Sequence, residues 1–175
     1  MKCTDETVEP LLELAPRLEE LVFSPDTVSS RFLNHLIGQF DPAKLTTLRL
    51  SRVPVDFATS EAIARLTRLI DLMLFCSPMP IGDDDPNATE VSWDPFILPF
   101  TSLKSLERLS IMDSGLVFAE KNGRKVIFSL DAVAAVLQEK PNLRDVDIVL
   151  RLDSLDASKL KEHLPSSCSL HLRSS

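Results

Sequence analysis

Glycine, basic clusters and long apolar runs are scarce in this sequence, and each scarcity excludes a class of function. Only four glycines occur, far apart, so the glycine-rich loop that cradles phosphates is absent. The net charge is −7 without a basic cluster, which argues against nucleic acid and anionic membrane surfaces as partners. No apolar run approaches the roughly 18 residues that a membrane span requires.

Metal and catalytic sites also lack their usual sequence patterns. His35, His163 and His171 have no His-x-x-x-His or Cys-x-x-Cys companions, whereas a zinc site needs about four converging ligands. No glycine-flanked serine nucleophile is present. The sequence therefore predicts a protein that is not an enzyme and that holds no cofactor and no metal.

The cysteines and the N-terminal segment indicate a cellular compartment. Cys3, Cys76 and Cys168 are odd in number and far apart, which predicts free, buried thiols in a reducing environment. Acidic residues at Asp5 and Glu6 stand where a secretory signal would be apolar. We therefore expect a cytoplasmic or nuclear protein.

Leucine, by contrast, is abundant and regularly spaced, with 29 of the 175 residues. One template recurs: leucine, two variable residues, leucine or valine, one variable residue and an apolar residue. Because residues two apart on a strand point the same way, its second and third fixed positions are predicted to face a common core. A half copy lies at Leu170 and Leu172. The five full copies begin at Leu18, Leu45, Leu69, Leu106 and Leu143.

This template resembles the leucine-rich repeat family from about Leu11 to Arg173. The resemblance implies one domain over residues 1–175, an α/β solenoid with about six parallel strands on its concave face and helices on its convex face. Most copies lack the asparagine or cysteine that often follows the strand in this family, and Cys76 comes closest. The turns after the strands therefore need another group to satisfy their backbone.

Helices and two insertions are expected between the strands. Residues 77–100 are rich in proline and aspartate and are predicted to form a long acidic loop. Residues 115–128 place Asn122 and Gly123 between two apolar runs, which predicts an inserted β-hairpin. The helix starts are placed by their capping residues at Asp26 or Thr27, Thr59, Ser129 and Asp156.

The variable template positions are expected to point outward and to form the concave surface. Several of them combine an apolar cluster with charges of both signs, the composition of a binding anchor within a polar rim. Whether the two insertions fold over the apolar cluster is left open by the sequence. The candidate partner-binding residues are Arg49, Met73, Phe75, Arg108, Met112 and Asp147.

Non-catalytic binding of a protein or peptide is therefore the expected function, by a monomer or by one subunit of a complex. Variable repeat lengths and the Pro-x-Leu sequences at Pro16 and Pro141 resemble the repeat regions of F-box proteins, fungal ones in particular. That resemblance implies substrate recognition for a ubiquitin ligase. The alternatives are a free-standing repeat inhibitor or adaptor, and a GTPase-activator-like regulator of repeat architecture with Arg52 as the nearest candidate arginine.

Overall fold

A six-stranded, all-parallel sheet is the centre of the protein in the computed structural model. The structure describes residues 5–25, 28–78, 90–92, 94–113, 125–127, 129–138, 140–149, 157–166 and 168–173. In spatial order the strands are β1 (Glu20–Phe23), β2 (Thr47–Val55), β3 (Asp71–Pro78), β5 (Arg108–Asp113), β7 (Asp145–Val149) and β8 (Ser169–Arg173). Two short strands, β4 (Glu90–Ser92) and β6 (Lys125–Ile127), form a second parallel pair. The predicted α/β class with parallel strands is confirmed.

Short helices connect the strands and return the chain to the end of the sheet at which every strand begins, as a parallel sheet requires. They are α1 (Asp5–Val8), α2 (Leu11–Leu14), α3 (Ser30–Gly38), α4 (Phe57–Ala64), α5 (Asp94–Ile97), α6 (Leu130–Leu137) and α7 (Ala157–Glu162), with 3-10 helices at Ala15–Arg17 and Leu98–Ser102. None of the helices in the described ranges is long and apolar enough to cross a membrane.

Three helices begin at a side chain that accepts a hydrogen bond from the backbone three residues on. Ser29, Asp56 and Ser129 cap α3, α4 and α6 in this way. The predicted cap at Ser129 is confirmed. The cap of α4, Asp56, lies three residues before the predicted start at Thr59, because Asp56 directly follows β2. Ser29 caps α3, and the predicted caps Asp26 and Thr27 lie outside the described residues.

The apolar template positions form one core with the helices. Strand residues and helix residues such as Leu36 and Val136 belong to a single buried cluster. Because the template residues of the described side chains face this cluster, the helices pack on one side of the sheet and the variable positions lie on the other. The ten predicted core positions are all buried: Leu21, Phe23, Leu48, Leu50, Leu72, Leu74, Leu109, Ile111, Val146 and Ile148.

One backbone pattern recurs immediately before the strands. The carbonyl of Glu19, which precedes β1, accepts hydrogen bonds from the N–H groups of Thr46 (2.8 Å) and Thr47 (3.2 Å) at the start of β2. The same pair of bonds recurs from β2 to β3, from β3 to β5 and from β5 to β7. Segments of different length and sequence therefore place their strand starts in one common geometry.

We call each central strand, together with the segment that leads to the next central strand, a unit. Serine hydroxyls satisfy other carbonyl groups between neighbouring units. Ser102 Oγ donates to the carbonyl of Ala64 (2.8 Å), and Ser105 Oγ donates to the carbonyl of Thr67 (3.0 Å). Both bonds join positions 38 residues apart. Individual serines before β5 thus satisfy carbonyl groups at the end of α4 and before β3.

Lys140 has the corresponding role one unit further along the chain. Its Nζ donates to the carbonyls of Phe100 (3.0 Å) and Leu103 (3.1 Å), and the residue is only 2% exposed. Burial, and then the charge of Lys104, lower the pKa of Lys140 to about 8. The charged form is disfavoured because it is removed from water.

Strand β2 contains a bulge at Arg52. Its pairing with β3 shifts between Ser51 and Val53, so Arg52 has no partner on β3. The φ angle of Arg52 is 58°, in the left-handed region, and its side chain is exposed. Because one extra residue reverses the alternation of side chains, Val53 and Val55 turn to the core and are buried.

The acidic loop predicted over 77–100 is wrong in its second half. Strand β4, helix α5 and the 3-10 helix Leu98–Ser102 occupy residues 90–92 and 94–102, and Phe96 and Phe100 are buried in the core. Pro95 and Pro99, which suggested a loop, instead occupy the first turns of these short helices, where proline is tolerated. Residues 79–89 lie outside the described residues.

The hairpin predicted over 115–128 is described only in its last part. Asn122, Gly123 and the expected first strand lie outside the described residues. Lys125–Ile127 is a strand, as expected, and it pairs in parallel with Glu90–Ser92 of the other insertion. The two insertions therefore meet through β4 and β6.

The strain at Arg52 gives the first prediction. Arg52→Gly is expected to raise the free energy of unfolding by about 1 kcal/mol relative to Arg52→Ala, because only glycine adopts a left-handed backbone without steric penalty. Both variants remove the same charge and side chain, so their difference isolates the backbone. Urea unfolding of both variants measures it, and equal midpoints would contradict the prediction.

The buried ammonium group of Lys140 gives a prediction about pH. Between about pH 8 and pH 10.5 the unfolded lysine keeps a proton that the folded lysine has lost, so stability rises with pH. The expected gain through Lys140 is about 1 kcal/mol between pH 7 and pH 9. Lys140→Met should abolish this gain in urea unfolding, whereas Lys161→Met, on exposed helix α7, should retain it. A gain that persists in Lys140→Met would refute the assignment.

Candidate functional site

The outward positions of the central strands align in rows across the sheet, and we call this surface the strand face. The parallel register sets Asp71 opposite Arg108, Met73 opposite Ser110 and Phe75 opposite Met112. This alignment is the one expected from the template. The strand face consists of Thr47, Arg49, Ser51, Asp71, Met73, Phe75, Arg108, Ser110, Met112, Asp145 and Asp147.

Two arginines of the strand face share one buried carboxylate. Arg49 Nη2 donates a hydrogen bond to Asp71 Oδ2 at 2.6 Å, and Arg108 Nη2 forms an ion pair with the same oxygen at 2.9 Å. Asp71 is only 4% exposed, whereas the side chains of Arg49 and Arg108 are 42% and 57% exposed. Asp71 therefore holds two guanidinium groups from β2 and β5 in fixed positions at the surface.

The Arg49–Asp71–Arg108 triad carries a net positive charge. The hydrogen bond from Arg49 to Asp71 and then the charge of Asp71 raise the pKa of Arg49 above its ordinary value; burial opposes the rise, and Glu20 adds to it. An arginine has five N–H donors, and the bonds to Asp71 use only part of them. The triad therefore keeps donors for a further acceptor.

An apolar group lies beside the triad. Met73, Phe75 and Met112 are each half-buried, and Phe75 and Met112 are directly paired across β3 and β5. On β1, the outward residue beside Arg49 is Val22, which is 70% exposed. The centre of the strand face thus offers flexible apolar side chains next to fixed positive charge.

The strand β7 contributes two carboxylates without cationic partners. Asp145 lies opposite Arg108, but Arg108 pairs with Asp71 on its other side. Asp147 Oδ1 is buried and has no hydrogen-bond partner. Within the described ranges, neither Asp145 nor Asp147 forms an ion pair.

All six residues predicted for the site lie on the strand face. The structure joins Arg49 to Arg108 through Asp71 and pairs Phe75 with Met112. Asp147 stands two strands away from Met73 in the same row. Sequence reasoning missed Asp71, although its place in the first outward row beside Arg108 was a usable signal.

The other candidate groups of the sequence do not converge on a site. His35 and His163 are exposed, and no group of three metal-ligating side chains occurs in the part of the chain that the structure describes. Cys168 is half-buried rather than buried, and burial, then the charge of Asp145, raises the pKa of its thiol. Arg52 lies within the bulge of β2 rather than in a loop.

Comparison of the chain with models of known protein families, with curated proteins and with solved structures found no match. Function must therefore be inferred from the strand face itself.

The shared carboxylate gives a prediction about stability. Asp71→Asn keeps the side-chain shape but leaves Arg49 and Arg108 as neighbouring like charges, so the free energy of unfolding should fall by about 1–2 kcal/mol, an amount limited by the exposure of the arginines. Asp145→Asn, which removes an unpaired charge from the same row, should change it by less than about 0.5 kcal/mol.

Urea unfolding at low and high salt measures both variants. High salt should reduce the difference in the free energy of unfolding between Asp71→Asn and wild type, because ions screen the repulsion between Arg49 and Arg108. Equal effects of Asp71→Asn and Asp145→Asn would show that the triad does not stabilise the fold.

Proposed function

We propose that this protein is a leucine-rich repeat module that binds another protein through its strand face and performs no catalysis. The strand face carries the proposal, because it presents half-buried methionine and phenylalanine side chains beside a positive triad, with two carboxylates that form no ion pair among the described residues on the next strand. Apolar patches of this kind on a protein surface often mark binding sites, and methionine adapts to different partners.

The repeated backbone geometry supports the solenoid part of the proposal. Carbonyl groups before four successive strands accept the same pair of N–H bonds from the next unit. The helices in the described ranges pack on the core side of the sheet, opposite the strand face. A stack of similar units that share one core is the organisation of repeat proteins.

The dimensions of the sheet suit a peptide or a protein loop. At about 4.8 Å between strands, the six strands span roughly 24 Å. Binding rather than catalysis is assigned because the triad holds arginines, which stay protonated and therefore do not exchange protons as general acids or bases.

A narrower proposal follows from the resemblance to F-box proteins. The strand face would then hold the substrate of a cytoplasmic or nuclear ubiquitin ligase. If so, a full-length protein with this chain should co-purify with ligase core subunits, and the strand-face variant described next should lose the substrate but keep those subunits.

A matched pair of double variants tests the binding proposal. Phe75→Ala with Met112→Ala truncates the apolar part of the strand face, whereas Phe57→Ala with Leu98→Ala truncates two exposed apolar residues on the helices. Loss of hot-spot side chains typically weakens binding about 30-fold or more. We expect that loss only for the strand-face variant.

The measurement is quantitative capture of partners from extract of cells that express the protein, followed by titration of the captured partner. Because Phe75 and Met112 are half-buried, their truncation should cost about 1–2 kcal/mol of stability, less than the 2–5 kcal/mol expected for the buried neighbour Leu72→Ala. Partners lost by the helix variant and retained by the strand-face variant would overturn the proposal.

A further inference from the structure

The charges of the strand face are separated across the sheet, with the positive charge on β2, β3 and β5 and the negative charge on β7. The triad on β2, β3 and β5 has a net charge of +1, since Asp71 neutralises only one of its two arginines. Asp145 and Asp147 on β7 add two negative charges with no ion pair among the described residues. A partner that matches this surface must present opposite charges in the reverse order.

The two arginines fit a carboxylate better than they fit other polar groups. Their guanidinium groups are half-exposed, remain cationic and are already oriented by Asp71. Arginine recognises carboxylates through paired N–H donors, and a side chain that is held in place before binding loses little further freedom. An acidic side chain of the partner is therefore the group that the triad selects.

The end of the strand face on β7, which carries Asp145 and Asp147, is suited to bind a cationic side chain. Asp147 Oδ1 has been removed from water without gaining a hydrogen bond, which is unfavourable for a carboxylate. Arg108, the nearest cation across the sheet from Asp145, is already committed to Asp71. A lysine or arginine supplied by a partner would therefore compensate a charge that the fold leaves unpaired.

The spacing of the two ends is fixed by the sheet. Asp71 and the β7 carboxylates lie two strands apart, or about 10 Å. In an extended segment crossing the strands this corresponds to about three residues, and in a helix to about seven. On β5, the strand between the two charges, the outward apolar side chain is Met112.

We propose that the strand face selects a protein segment with an acidic side chain over Arg49 and Arg108, a basic side chain about 10 Å away over Asp145 and Asp147, and an apolar side chain between them on Met112. This inference rests on the proposed function, since it names the chemistry of the partner that the strand face binds.

The test uses a displayed library of random twelve-residue peptides as the probe, selected on the whole chain. Enriched peptides should contain an acidic and a basic residue at the stated spacing. Their affinities, measured by fluorescence anisotropy, should fall about tenfold with Asp145→Lys, an exposed and unpaired position, and should recover when the basic residue of the peptide is changed to glutamate. High salt should weaken binding.

Glu162→Lys provides the matched control, because it makes the same charge change on exposed helix α7 and should leave affinity unchanged. Enriched peptides without the charge pattern, or without the recovery, overturn this inference. If such peptides still depend on Phe75 and Met112, the proposed function stands.

Binding that depends on Phe57 and Leu98 instead overturns both proposals. A library that yields no binder also overturns the charge-selection inference, because any segment with the stated charges should be recognised. The capture experiment with the double variants then decides the proposed function separately.

Discussion

The two hydrogen bonds that each carbonyl before β1, β2, β3 and β5 accepts from the start of the next strand fix the register of the sheet as far as β7. Glu19 receives them from Thr46 and Thr47, and the same geometry recurs up to β7. Register decides which side chains face the core, since a slip of one residue exchanges the two faces of a strand. The burial of the ten predicted core positions and the alignment of the strand face both follow from this one constraint.

The same constraint explains why units of unequal length coexist. Only the strand starts must match, so extra residues leave the sheet and return to it without changing the register. Residues between β3 and β5 use this freedom to form β4, α5 and a 3-10 helix, and those before α6 supply β6, which pairs with β4. The bulge at Arg52 restores core-facing positions within β2 itself, because Val53 and Val55 would otherwise lie on the opposite face.

The sequence predicted the features that depend on local periodicity. Template spacing located the central strands, their core residues and the outward rows, because a period of two residues is visible in a single chain. It did not locate Asp71 as the centre of a triad, since that role requires the side-chain directions of three strands. The assignment of Pro95 and Pro99 to a loop was wrong, because proline is found in the first turn of a helix as well as in loops. The hydrogen bonds of Lys140 could not be predicted from local sequence, because the carbonyl groups that accept them lie about 40 residues earlier in the chain.

Asp71 connects the stability of the fold with the chemistry of the strand face. A buried carboxylate needs compensation, and the arginines on the two neighbouring strands supply it. Because both guanidinium groups use the same oxygen, each is held on the side nearest Asp71, and Arg108 is drawn away from Asp145. The pairing that stabilises β2, β3 and β5 therefore also leaves Asp145 without an ion pair to the arginine that lies opposite it. In this way one ion-pair network separates positive from negative charge across the surface, and that separation is the feature a partner segment would recognise.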